Sequence, residues 1–284
     1  MSSLCLPHSG DSHPMCRMAR LSVLLLASCG TAAGAYAQQA GPGGPGGPGG
    51  AEGAKGSSWS LGVAAISMQD PYKGMDRETK VLPMIRYENA YVKVSGLGVE
   101  VKLPALDVGN GHRVKFGIVA KGEMNGYEAS DAPILAGMEE RKAGLWAGAK
   151  AEWQNDAVEV SAQWLADASS HSKGQRFSLG LEKSWRLSEQ VMIAPHVTAN
   201  WLDRKYVDYS YGVRADEVMA GRMAYTGKAG VNVDVGLRTM YRFDRSQSVM
   251  LDVATTRLSA AITDSPLVDR SNASRVVLGY MYRF

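Results

Sequence analysis

The 284 residues carry 31 lysines and arginines against 28 aspartates and glutamates, a net charge of +3. Residues 1–37 hold Arg17, Arg20 and Asp11, so the charges nearly balance without them. That balance argues against a nucleic-acid binder, which needs a basic stripe, and no stretch approaches the roughly 18 apolar residues of a membrane helix.

The N-terminus has the layout of an export signal. Arginines come first in "RMARLSVLLLASCGTAAGAYAQQ", then an apolar run, then the small-x-small site Ala35-Tyr36-Ala37. Cleavage is expected after Ala37, with translation starting at Met1, Met15 or Met18. Leu26-Ala27-Ser28-Cys29 is a rival, a lipoprotein-type box that would place a lipid on Cys29. All three cysteines precede Ala37, so cleavage there leaves a chain with no disulfide and no thiol chemistry. Residues 41–50, "GPGGPGGPGG", are too few for a collagen triple helix. The expected organisation is a signal peptide at 1–37, a flexible tether at 38–57 and one domain at 58–284.

From Trp59 onward apolar and polar residues alternate, the mark of a strand with two unlike faces. "RFSLGLEKSWRL" sets Phe177, Leu179, Leu181, Trp185 and Leu187 against Arg176, Ser178, Gly180, Glu182 and Arg186. "VNVDVGLRTMYRF" sets Val231, Val233, Val235, Leu237, Tyr241 and Phe243 against Asn232, Asp234, Arg238 and Arg242. Such runs of about ten to thirteen residues exceed the usual soluble strand and match a tilted bilayer crossing. Short connections alternate with long ones, as in a barrel with short periplasmic turns and long outer loops.

An even strand number between short turns requires 90–104 to be two strands bent at Ser95-Gly96-Leu97-Gly98, with a periplasmic turn at 105–111. The expected fold is all-β, a closed antiparallel transmembrane barrel of about 12 strands: 58–68, 79–88, 90–96, 97–104, 112–122, 143–154, 157–167, 175–187, 190–203, 228–243, 247–260 and 273–284. Ten strands is the alternative. On this map nine aromatics, among them Trp59, Tyr87, Trp153, Trp185, Tyr241 and Tyr282, fall at the periplasmic rim. Trp164, Phe177 and Trp201 fall toward the outer rim. A soluble sandwich has no reason to sort aromatics by strand end, whereas a bilayer boundary does.

Two residues strain the pattern. Lys183 falls on the apolar face, requiring either a bulge or a side chain that snorkels to the rim. Pro195 removes a ladder donor from its strand and predicts a bulge or distorted pairing. The last strand ends "VVLGYMYRF", with Val276, Leu278, Tyr280, Tyr282 and Phe284 on one face. That stripe looks like the insertion signal of bacterial outer-membrane barrels, read by the barrel-assembly machinery.

The inner face carries Arg176, Glu182, Arg186, Asp234, Arg238 and Arg242. Buried charges must be paired or wet, so these residues predict a mutual salt-bridge network and a mostly occluded lumen; a narrow polar channel is the alternative. His171 lies among serines in "ASSHS", but no strained nucleophile turn accompanies it. His112 and His196 lack metal-type spacing. No catalytic residue, cofactor or metal is expected.

Several segments resemble the MipA/OmpV family (MltA-interacting protein) of outer-membrane proteins. Pro71, Tyr72, Gly74, Val81, Leu82 and Pro83 match its first loop and second strand. Leu135, Gly137 and Met138 match a later loop, and Tyr211 stands where phenylalanine is usual. "TDSPLV" at 263–268 and the final Tyr-Arg-Phe complete a resemblance spanning 59–284. It implies a Gram-negative outer-membrane location, lipid as the surrounding phase, and a non-enzymatic scaffold for murein synthesis and hydrolysis. The implied partners are a lytic transglycosylase and a penicillin-binding protein, with links to envelope or osmotic stress. A small channel or uptake porin for polar solutes is the alternative function.

Overall fold

A computed structural model describes residues 57–109, 112–124, 126–155 and 158–284. The expected signal peptide, cleavage at Ala37, Cys29 and the tether up to residue 56 lie outside the described residues, as does Asp156 of one short turn. The strands are β1 (Ser58–Gln69), β2 (Glu78–Glu88), β3 (Val92–Ser95), β4 (Gly98–Lys102), β5 (Leu106–Gly109), β6 (His112–Gly122) and β7 (Leu145–Gln154). They continue as β8 (Glu159–Asp167), β9 (Gln175–Glu182), β10 (Trp185–Arg186), β11 (Val191–Leu202), β12 (Gly230–Arg242), β13 (Gln247–Arg257) and β14 (Asn272–Arg283).

These segments form twelve staves of a closed antiparallel barrel. β4 and β5 both pair with β6 and form one stave, interrupted at Pro104, which has no N–H to give the ladder. β9 and β10 both pair with β11 and form another. Each stave pairs with the next in chain order, and β14 closes on β1 from Ser60↔Arg283 to Gln69↔Ser274. Among the described residues every stave is paired on both sides, so backbone polar groups bond within the sheet where lipid offers them nothing.

The bend expected in 90–104 is the β3–β4 hairpin, turning through Gly96 at a φ of +55°, a left-handed conformation that suits glycine. The expected turn at 105–111 is corrected. Leu106 to Gly109 pair with β6, so the strand runs on through most of that segment.

The faces follow the sequence alternation. Along β9, Phe177, Leu179 and Leu181 are exposed while Arg176, Ser178 and Gly180 are buried. The outer aromatics stand side by side: Phe177 is in register with Trp164 on β8 and Trp201 on β11. At the opposite rim Trp59 lies 4.4 Å from Tyr87, Tyr241 4.9 Å from Phe243, and Tyr282 5.0 Å from Phe284, centroid to centroid. Val231 on β12 pairs with Trp201, and Tyr241 lies ten residues further along. At about 3.3 Å per residue and a tilt of about 40° that is about 25 Å of height, the apolar belt of an outer-membrane barrel.

Lys183 and Pro195 disturb the same point. The Lys183 N–H donates to the Pro195 carbonyl at 3.2 Å, but Pro195 has no N–H to return. The register is unchanged on either side, from His196↔Glu182 to Ile193↔Trp185, so the ladder is broken without a bulge. The Lys183 ammonium lies 5.3 Å from the centre of the Trp185 ring toward the short-turn rim, as snorkelling requires.

Candidate functional site

The hydrophobic core does not fill the barrel. It lies in the long loops, folded together over one mouth. Tyr72 from the loop after β1, Tyr127, Leu135 and Met138 from the loop after β6, and Leu267 from the loop before β14 are all buried in one cluster. The loop after β11 adds α1 (Arg204–Tyr211), with Tyr206, Val207 and Tyr211 buried. Asp203 caps α1 by accepting from the Tyr206 N–H at 2.8 Å, satisfying one of the helix's orphan donors. A short second helix, α2 (Ala260–Thr263), contributes the fully buried Ile262.

Tyrosines hold the loops in register. Tyr72 packs edge-on to Tyr127 at 5.3 Å and stacks on Tyr211 at 5.5 Å. Its hydroxyl donates to the Ser210 carbonyl at 3.0 Å, and Ser265 Oγ donates to the Tyr211 carbonyl at 2.7 Å. Backbone bonds between Lys73 and Leu267 and between Asp269 and Pro71 tie the first loop to the last. Burial pushes the hydroxyls of Tyr72 and Tyr211 well above the ordinary phenol range, and that of Tyr127 upward as well. They therefore remain neutral hydrogen-bonding groups at any physiological pH.

Two arginines clamp the cap. Arg141 donates to both Glu217 carboxylate oxygens, at 2.8 and 3.0 Å, and to the Tyr209 and Glu139 carbonyls. Arg222, also buried, donates to the carbonyls of Glu217, Ile134 and Ala136. Burial alone would raise the Glu217 carboxyl. The N–H donors of Arg214 and Glu139 and the Arg141 guanidinium outweigh it and hold the group below the ordinary carboxylate range.

Beneath the cap the barrel interior is polar. Arg176 forms two hydrogen bonds to Glu123, at 3.0 and 2.6 Å, with its guanidinium 3.8 Å from the centre of the Trp146 ring. Lower down, Arg238 reaches Glu182 at 3.0 Å and Asp252 at 3.1 Å, and Arg275 reaches Asp252 at 3.3 Å. Asp234 accepts from Thr256 at 2.8 Å and lies 3.7 Å from His196.

Of the six sequence-picked charges, Glu182 and Arg238 are directly paired, while Arg176 and Asp234 meet other partners. Arg186 and Arg242 are exposed at the short-turn rim, so a single network of all six is corrected: these two sit at the short-turn ends of their strands, where the lumen meets water. On β14, Leu278, Tyr280, Tyr282 and Phe284 are exposed on the outer face and Val276 is half-buried. His171 lies in the loop after β8 with Nδ1 2.8 Å from the Ala143 carbonyl. The hydroxyls of Ser169 and Ser172 both go to Asp167 rather than to this histidine.

The cap gathers Tyr72, Leu135, Met138, Tyr211 and Leu267 from four separate loops, the same loops whose short motifs stand out in the sequence. A family model described as MltA-interacting protein MipA matches residues 61–284. The chain belongs to the MipA family. Its relatives include putative outer membrane protein YiaT of Escherichia coli K12, 25% identical over 241 residues, covering 80% of this chain and 92% of that protein. OmpV of Vibrio cholerae is 25% identical, covering 80% and 86%. The MltA-interacting protein of Escherichia coli K12 is 25% identical, covering 80% and 90%. Among solved structures, the COG4313 outer membrane channel from Pseudomonas putida F1 aligns at a TM-score of 0.43 and 9% identity, over 80% of this chain and 95% of that one. This MipA-family chain is an outer-membrane barrel of a Gram-negative bacterium.

Sequence reasoning missed the cap. Arg141, Glu217, Arg222 and Glu123 sit in loops with no periodicity. The one usable signal was that tyrosines and large aliphatics recur in segments otherwise polar enough to be solvated.

Proposed function

We propose that this MipA-family barrel is a non-enzymatic scaffold, anchored in the outer membrane, for enzymes that build and cleave murein. The observation that carries this reading is the packed cap, in which Leu135, Val207, Ile262 and Leu267 are fully buried. A barrel built for bulk transport needs an open mouth, whereas an anchor does not. The name of one relative, the MltA-interacting protein, supports a lytic transglycosylase as partner; a penicillin-binding protein would be the second. Both would meet the short turns, which in this reading face the periplasm, and the glycine-proline stretch of the sequence. The stripe of Val276, Leu278, Tyr280, Tyr282 and Phe284 serves the barrel-assembly machinery on the way in.

Crosslinking in cells from cysteines placed in the short turns, followed by purification and mass spectrometry, tests the scaffold. Enrichment of murein enzymes is expected; their absence would end the proposal. A second reading, a narrow uptake channel for small polar solutes, is favoured by the hydrophilic lining of Ser161, Gln163, Ser178, Thr198, Asn200 and Asn232. Planar-bilayer recording separates the two, because the channel requires a steady conductance and the scaffold predicts none.

A further inference from the structure

β2 is paired along its whole length on one side and only in part on the other. Toward β1 its ladder runs from Ser58↔Glu88 to Met68↔Glu78. Toward β3 it pairs at Arg86, Tyr87 and Glu88 alone. The Gly96 N–H then donates to the Ile85 carbonyl at 3.0 Å, and the hairpin turns away. Backbone groups of alternate residues point to the same side of a strand, so Pro83, Val81 and Thr79 direct theirs where Ile85 does. No strand among the described residues meets them there.

This bare edge lies at membrane depth. Pro83, Val81 and Thr79 are four, six and eight residues from Tyr87 of the short-turn aromatic row. On a tilted strand that is about 10 to 20 Å of height, inside an apolar belt of about 25 Å. Unpaired backbone at such a depth is tolerated only where it is buried in protein or lines a cavity. The edge borders a gap in the wall. Below is the tip of the β3–β4 hairpin, tied on its far side to β6 by the Gly122 N–H and Leu97 carbonyl at 3.0 Å. Above, Pro133 of the loop after β6 packs against Gly74. Pro83 excludes an added strand as the occupant, because it has no N–H to offer one.

Behind the gap the inner wall is apolar and then cationic. Leu82 and Met84 face inward on β2, half-buried, between the exposed Val81, Pro83 and Ile85. Further down, Lys93 on β3 stands opposite Glu88 on β2 and Glu100 on β4. Both carboxylates are taken. Glu88 holds Lys102 at 2.7 Å and Arg86 at 3.3 Å, and Glu100 holds Lys150 at 3.5 Å. The Lys93 ammonium makes no ion pair or hydrogen bond among the described residues. A half-buried charge needs a counter-charge or water.

We propose that the gap is a side port that seats a long-chain fatty acid, its carboxylate on Lys93 and its chain passing Met84 and Leu82 to the outer leaflet. One unpaired ammonium balances one carboxylate. A gap beside a single strand edge takes a single chain, and the packed cap leaves this side route beneath a closed mouth. The port does not rest on the scaffold reading, which concerns the opposite, short-turn end.

The test uses the full chain in phosphatidylcholine vesicles and palmitic acid carrying a diazirine near the end of its chain. After irradiation, mass spectrometry maps the labelled residues. Labelling at residues 79–83 and Leu97 is expected to exceed that of the outer-face residues Leu179 and Val235 by about tenfold, the worth of one charge-assisted hydrogen bond. Lys93→Gln should bring it down to the level of those residues, and Lys93→Arg should keep it. Heat-modifiable gel migration checks that each variant is a folded barrel. The methyl ester of the same acid, which has no carboxylate, should lose the excess on the unmodified chain and so gives the answer without a variant. Even labelling around the barrel, or an excess that survives in folded Lys93→Gln or with the methyl ester, overturns the proposal.

Discussion

Arg141 and Glu217, from different loops, face each other through two hydrogen bonds while both side chains are only 3% exposed. The pair joins the loop after β6 to the loop after β11 and sits against the tyrosine cluster. Removing one partner leaves an uncompensated buried charge, which costs about 3–5 kcal/mol. Because the sheet below is separately hydrogen-bonded, that loss is local to the cap. Arg141→Ala is expected to open residues 123–144 and 203–229 to protease and to amide exchange. The strands stay protected. Loss of strand protection to the same degree would mean that cap and barrel fold as one unit.

The same carboxylate makes the cap sensitive to acid. Its folded pKa lies below the unfolded value, so its contribution is fully present above the ordinary carboxylate range. It is lost as pH falls through the depressed folded value. Cap exchange rates are therefore expected to stay flat from neutral pH down to about 4 and to rise below that. In Glu217→Gln the acid limb should disappear, on a cap that is already looser at neutral pH.

Alkali acts through other residues. The hydroxyls of Tyr72, Tyr127 and Tyr211 are raised by burial, so the stability they contribute is whole below the unfolded phenol value of about 10 and declines above it. Absorbance near the phenolate band should begin to rise above a pH of about 10, the ordinary phenol value. The cap tyrosines should follow only at higher pH, together with cap opening. Simultaneous titration of all tyrosines would contradict the packing.

The barrel was legible in the sequence because a bilayer imposes a period of two and an aromatic boundary, and both are local patterns. The β5 continuation was not legible. Pro104 ends a run of pattern, and nothing local says that Leu106 to Gly109 resume on the same neighbour. The cap was legible only as scattered motifs. Tyr72, Tyr211 and Leu267 meet through long-range packing, which leaves no spacing rule in the chain. For the inner charges, alternation put Asp234 and Arg238 on the inner face, and both are buried. It could not say where along the tilted staves Arg186 and Arg242 would leave the lumen.

That difference within the lumen is measurable. Arg238 touches both Glu182 and Asp252, while Arg186 and Arg242 are exposed. Arg238→Ala is expected to cost about 3 kcal/mol, the low end for a broken buried pair, since Asp252 keeps Arg275. Arg186→Ala and Arg242→Ala should stay within about 0.5 kcal/mol. Urea unfolding from phosphatidylcholine vesicles checks all three. An Arg186→Ala loss equal to that of Arg238→Ala would show that the rim, not the inner wall, holds the network.

The outer face gives a depth-dependent prediction. Val235 is 52% exposed and lies on β12 about midway between Val231, beside Trp201 in the outer aromatic row, and Tyr241 in the other. That places it near the bilayer midplane. Val235→Arg should cost about 2–4 kcal/mol in vesicles, and Tyr241→Arg at the rim only about 0–1. The physical cause is the loss of water around a cation held at the centre of the hydrocarbon, which a rim cation avoids by reaching the interface. Equal costs at the two depths would mean that something other than lipid covers this face.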